Sequence, residues 1–321
     1  MFDGFELRQV DVGGGVTLRV RTGGSGPPVL LLHGHPRTQA TWHKVAPLLA
    51  IGFTVVCLDL RGYGESSKPP AGEDHAGYSK RAMARDCVEA MAQLGHRNFA
   101  VVGHDRGAYV AHRLAADHPE LVSHLVVMDA VPIGAALARS DARFAAKWWH
   151  WFFLGQTAKP AERVINADPD AWYQVDAATM GEEAYADLRR ALHDPATVHA
   201  MCEDYRAGLT VDRAADDADR RAGRRITCPT LVVWATGDDL GELYGDPVEV
   251  WREWADAVRG VALDSGHHLA EEVPDQLAAV LREFLGGPAG PMPSGPMPSD
   301  AVPSEQAESE TGRREDPVTS G

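Results

Sequence analysis

Five short apolar runs, set apart by helix-like stretches, limit what this chain can fold into more than any other feature. They are Val29-Leu-Leu-Leu-His33, Thr54-Val-Val-Cys-Leu58, Phe99-Ala-Val-Val-Gly103, Leu125-Val-Val-Met128 and Leu231-Val-Val-Trp-Ala235. Runs with no polar alternation suit strands buried on both faces. Helical patterns lie between them, at Met83 to Leu94, Ala108 to His118 and Asp275 to Phe284. Strands alternating with helices predict an α/β fold, a mostly parallel sheet flanked by helices. Two alternating segments, Phe5 to Val12 and Val16 to Val20, are joined through Gly13-Gly-Gly15 and predict an antiparallel hairpin at the sheet edge.

The βα rhythm stops between Ile133 and Arg225. That stretch has no strand-like run and carries Lys147-Trp-Trp-His-Trp-Phe-Phe153, then helical segments through Leu188 and Tyr205. An inserted helical cap over an apolar pocket is expected there. Three parts follow: a core from residues 1–132 and 226–286, a cap over 133–225, and a tail over 287–321. The tail holds seven of the 21 prolines and the repeat Gly290-Pro-Met-Pro-Ser-Gly-Pro-Met-Pro-Ser299, followed by a Ser- and Glu-rich end. Too few large apolar groups remain there to offset chain entropy, so its composition predicts disorder.

With 46 acidic against 31 basic residues the formal net charge is −15, which excludes a phosphate-backbone binder. No segment is apolar for long enough to span a bilayer, and the N-terminus lacks a secretory pattern, so a cytoplasmic protein is expected. Cys57, Cys87, Cys202 and Cys228 are widely spaced, with no CxxC, which predicts reduced core residues rather than disulfides or a metal site.

Chemistry enters at Val101-Val-Gly-His-Asp-Arg-Gly-Ala108, which reads as strand, sharp turn, helix. Gly103 and Gly107 permit a tight elbow that would project Asp105 above the sheet edge. Asp before a helix is ordinarily an N-cap. At an elbow, however, an anionic carboxylate can displace a leaving group from saturated carbon and form an ester. Upstream, Leu32-His-Gly-His-Pro36 follows a strand, and the backbone N–H groups of His35 and Arg106 would hold a developing oxyanion. Downstream, Asp264-Ser-Gly-His-His-Leu-Ala-Glu-Glu272 offers a base with a pKa near neutrality. Side-chain chemistry alone does not separate His267 from His268.

This order of motifs resembles the α/β-hydrolase fold over residues 1–286. Gly-His-Asp105-Arg-Gly, Cys202-Glu-Asp-Tyr-Arg-Ala-Gly208, Trp149-His-Trp151 and Ser265-Gly-His-His-Leu-Ala-Glu-Glu272 together resemble the haloacetate (fluoroacetate) dehalogenases. The resemblance implies a cofactor-independent hydrolase of carbon–halogen bonds, with Asp105 as nucleophile and His267 as base. It implies Asp129 as the triad acid, with Asp238 in Thr236-Gly-Asp-Asp239 as the rival position used by many other α/β-hydrolases. It also implies a halide cradle of His150, Trp151 and Tyr205, a small-molecule substrate held by Arg106, and a homodimer.

One departure stands out. Haloacetate dehalogenases carry a second Arg four residues after the nucleophile, where this chain has Tyr109. A phenol replaces a bidentate cation there, which weakens carboxylate recognition. His35 is a smaller departure, at a position where the family often has a bulky apolar residue. Two other functions fit the same residues: an epoxide hydrolase drawing acids from Tyr173, Tyr185 and Tyr205, and an idle ligand-binding relative.

Overall fold

A computed structural model describes residues 1–286; the predicted disordered tail lies outside the described residues. Eight strands form one sheet in the order β1-β2-β4-β3-β5-β6-β7-β8. They are β1 (Glu6–Asp11), β2 (Thr17–Gly24), β3 (Pro28–Leu32), β4 (Thr54–Leu58), β5 (Phe99–His104), β6 (Val122–Met128), β7 (Thr230–Ala235) and β8 (Val258–Leu263). Strands β3 to β8 pair in parallel, whereas β1 pairs with β2 and β2 with β4 antiparallel, so the expected hairpin forms the sheet edge.

Register explains why the apolar runs are continuous. Leu30 pairs with Val101 and Val101 with Leu125, all within one core layer that also holds Val232. Their neighbours Val29, Leu31, Val102, Val126 and Val233 point to the other face and pack with Trp42, Leu277 and Leu281 in a second layer. Each strand therefore buries both faces, and an alternating pattern would strand polar groups in one layer. Cys57, Cys87 and Cys202 are buried and Cys228 half-buried; none is paired.

From β6 to β7 the chain is helical, running from Ile133 to Arg221 in short pieces that include Ile133–Ala138, Trp149–Leu154, Glu182–Leu192 and Pro195–Ala207. The sheet resumes at Thr230, four residues after the expected Ile226, which makes only an isolated bridge to Ala255. The carboxyl ends of β3, β5, β6 and β7 are adjacent in the sheet order, so the segments that leave them converge on one edge.

Candidate active site

Asp105 sits between β5 and the helix Arg106–Asp117 with φ +49°, a left-handed conformation that costs a non-glycine residue about 1–3 kcal/mol. The turn is tight because a Cβ at Gly107 would lie 2.4 Å from the carbonyl oxygen of His33, so the helix N-terminus packs directly on the end of β3. Asp105 occupies the N-cap position, yet its side chain makes no capping bond. It instead accepts the His35 N–H at 2.6 Å through Oδ1. Burial opposes its ionisation, but the charges of His267 and Arg106 outweigh that cost and hold its pKa below the usual carboxylate value.

The loop after β3 is fixed by its own side chains. His33 accepts the Leu60 N–H at 3.1 Å, and Arg37 forms a two-pronged, buried ion pair with Glu271, both contacts at 2.9 Å. Thr41 also donates to Glu271, at 2.7 Å. The amide-bearing loop is thereby clamped to the segment that carries the base. Glu272 accepts the backbone N–H groups of Gly266 and His268 at 2.6 and 3.1 Å, which shapes the turn around His267. The two glutamates of the Ser265–Glu272 motif therefore position the loop and leave proton transfer to the imidazole.

His267 presents Nδ1 to two carboxylates, Asp238 at 2.7 Å and Asp129 at 3.2 Å. Burial opposes its charge, but those two partners hold its pKa well above the ordinary histidine value. His268 has no such partner; burial beside Arg37 and His267 pushes its pKa far down. The neighbours thus distinguish two imidazoles that look equivalent in the sequence. Burial raises the pKa of Asp129 to about 6, whereas Asp238, buried too, is held low by its hydrogen bond to His267. Among the described residues, two donor groups are close enough to share a cation: His104 with His267 and His268, and Asp129 with Asp238 and His267. Both depend on His267, whose Nδ1 already faces the carboxylates.

The other expected residues meet around the Tyr205 ring. The ring of Tyr205 lies 5.2 Å from His35, 5.9 Å from His150 and 6.3 Å from Trp151, centroid to centroid. Burial lowers the pKa of His150 to about 4, so at neutral pH its imidazole is uncharged. Tyr109 is buried edge-on to Trp151 at 5.8 Å. Tyr173 packs against His35 at 5.6 Å, but its hydroxyl points to the Met201 sulfur at 3.4 Å.

Arg106 is placed differently from the simple expectation of a free cation facing an anion. Its guanidinium is fully buried, 4.1 Å above the Tyr205 ring. Nε and Nη2 bind the Asp204 carboxylate at 3.2 and 2.9 Å, and Nη1 alone lacks a partner. Asp204 also takes Lys80 and the Tyr63 hydroxyl, the latter at 2.6 Å. Sequence reading missed Asp204 as a functional neighbour, although it stands beside Tyr205 in a quoted motif; the contact spans 98 positions.

The family model for the alpha/beta hydrolase fold matches residues 27–274. A fluoroacetate dehalogenase from a Burkholderia species is 45% identical over 89% of this chain and 95% of its own length. A soluble epoxide hydrolase from a Corynebacterium species is 32% identical over 81% of this chain and 90% of its own. The crystal structure of a putative alpha/beta hydrolase from Nostoc superposes with TM-score 0.85 at 43% identity, covering 89% of this chain and 99% of that one. On the match of the family model and the 45% identity over most of both chains, the chain belongs to the α/β-hydrolase fold family, in the branch that includes fluoroacetate dehalogenase.

Proposed function

We propose that this chain hydrolyses the carbon–halogen bond of short 2-haloacids through an ester on Asp105. One observation carries the reading: Asp105, at the helix N-cap, spends its carboxylate on the His35 amide instead of capping the helix. An ionised carboxylate in that position is a nucleophile ready for use. One Oδ attacks Cα, the new C–O bond forms as the carbon–halogen bond breaks, and halide leaves with the electron pair. His150, Trp151 and Tyr205 supply N–H and O–H donors for the leaving anion, a contribution that grows in the transition state.

Water then attacks the Asp105 carbonyl carbon while His267 takes its proton through Nε2. The His35 and Arg106 amides hold the tetrahedral oxyanion. Collapse breaks the ester C–O bond, the proton on His267 goes to the departing 2-hydroxyacid, and Asp105 regains its carboxylate with one oxygen from water. Carboxylate, imidazole and water supply every bond, so the cycle needs no cofactor or metal.

The same reading joins residues 1–132 and 226–286 into a catalytic body under a cap of residues 133–225. It places the protein in the cytoplasm as a homodimer, on the strength of the family resemblance and four unpaired cysteines. No helix among the described residues is long and apolar enough to cross a membrane. Epoxide opening would need a second phenol beside Tyr205, and the Tyr173 hydroxyl is already directed to Met201.

The reading is tested by incubating the protein with fluoroacetate, chloroacetate and styrene oxide. Halide release from the acids is expected, with Asp105→Asn slower by at least about a thousandfold. Diol from styrene oxide without any halide release would overturn it.

A further inference from the structure

We propose that His267 is served by both carboxylates at once, Asp238 as its direct partner and Asp129 behind it, so that either can hold the base when the other is removed. The inference rests on the aspartyl-ester reading for its kinetic consequence, and on geometry alone for the pairing.

Two strands deliver the pair on separate scaffolds. Asp129 follows β6 with φ +49°, a left-handed conformation disfavoured for any residue but glycine. Its amide donates to the Val233 carbonyl at 2.9 Å, and its Oδ1 accepts the Ala235 N–H at 3.1 Å. The ends of β6 and β7 are thus stitched together, and Oδ2 is left aimed at the imidazole. Asp238 arrives from the other side, on a turn tied to the base's own loop. Thr236 N–H donates to the Leu263 carbonyl at 2.9 Å, and Gly237 N–H donates to the Ser265 carbonyl at 3.0 Å. Lys147 anchors the next residue, Asp239, at 3.0 Å from the cap.

One N–H cannot make two strong linear bonds. The hydrogen bond goes to Asp238 at 2.7 Å; Asp129 Oδ2 stays at 3.2 Å from Nδ1 and is a buried oxygen with no hydrogen-bond partner. A buried, unpartnered carboxylate oxygen beside a second carboxylate is costly unless a proton lies between the two. That cost raises the Asp129 pKa to about 6, and above that pH, where His267 works as a base, the proton is lost and both carboxylates are charged. Two negative charges then face one imidazole, Asp238 through the hydrogen bond and Asp129 Oδ2 at 3.2 Å from Nδ1. Together they balance the imidazolium that forms when His267 takes the proton from water. Both are positioning residues: they touch the base, not the reacting atoms.

The test compares the full-length protein with Asp129→Asn, Asp238→Asn and the double variant. Asn keeps the shape of the side chain and an oxygen for the Ala235 amide. With chloroacetate, each single variant is expected to turn over within about tenfold of wild type and to show no covalent ester in the intact-protein mass. The double variant is expected to release one equivalent of chloride and stop with the ester trapped, as a His267→Gln protein would. If one single variant traps the ester as fully as the double while the other behaves as wild type, there is one acid and the proposal is wrong.

Titration of His267 by nuclear magnetic resonance reads the same pairing without substrate. Asp105, His104 and His268 also face this ring and are unchanged in all four proteins. The His267 pKa is expected to fall in each single variant and further in the double. A fall in only one of them overturns the pairing, even if the wild-type protein released no halide and the dehalogenase reading itself had failed.

Discussion

In the proposed reaction, Arg106 is the cation beside the nucleophile that would receive an anionic substrate. Its charge is balanced by Asp204 at 2.9 Å, and the partner guanidinium expected four residues after the nucleophile is replaced by Tyr109, whose ring centroid lies 5.3 Å from the Arg106 Cζ. Only Nη1 remains for a carboxylate. An added charge-assisted contact strengthens binding by about 1.5–3 kcal/mol, so Tyr109→Arg is expected to raise kcat/KM for chloroacetate about tenfold or more. An unchanged ratio would mean that position 109 does not face the carboxylate. His267 makes a second prediction. Against the cost of burial, the Asp238 hydrogen bond and the nearby Asp129 carboxylate raise its pKa, so the protonated, inactive form persists to higher pH than for a free histidine. Activity should therefore rise with pH through a midpoint above 6.5, the unperturbed value; a rate profile already flat at that pH would contradict it. His267 was set apart from His268 in the sequence only by the family resemblance, whereas the elbow at Asp105 was legible from its flanking glycines. Asp204 was not, since only the fold brings residue 204 to residue 106. The sequence favoured Asp129 over Asp238 as the acid, but each follows a strand in a short turn and both in fact reach the imidazole, Asp238 the nearer.

At the level of elements, the site depends on how closely the turn after β3 approaches the elbow after β5. A Cβ at Gly34 would fall 2.4 Å from Asp105 Oδ1 and 2.7 Å from the His104 carbonyl oxygen. Gly34→Ala must push the two turns apart and take the His35 amide out of reach of the carboxylate. Loss of one oxyanion donor costs about a hundred- to a thousandfold in kcat, and a drop of that size is expected with the fold intact by circular dichroism. A Gly34→Ala protein with wild-type kcat would show that this amide has no part in turnover. Strands and their order of types were readable in the sequence, since burial on both faces leaves an unbroken apolar run. The helices between β6 and β7 were readable only as a region. They are short, and several start from aspartates that each accept from a nearby backbone N–H: Asp141, Asp168, Asp176 and Asp194. In the sequence these acids count only as charge, and their role is visible once the helix ends are known.

Across the whole molecule the same acids set a field. Several serve as caps or in buried ion pairs, but a formal charge of −15 remains, and an anionic substrate must approach against it. At the site, Asp105 adds its own negative charge and Asp204 offsets Arg106, so little local attraction compensates. Salt screens the approach: the Debye length is about 30 Å at 0.01 M and about 8 Å at 0.15 M ionic strength. Hence kcat/KM for chloroacetate is expected to rise roughly two- to threefold over that range, with sodium sulfate as the salt so that no product halide is added. Chloroacetamide carries the same leaving group without the charge, and its kcat/KM should stay flat. A fall with salt for the acid alone would mean that the pocket attracts anions strongly enough to overcome the surface. Nη1 of Arg106 would then be far better exposed to the substrate than its pairing with Asp204 implies. Parallel changes for acid and amide would trace the effect to the protein's stability or to water activity, and would remove the field from the account of specificity.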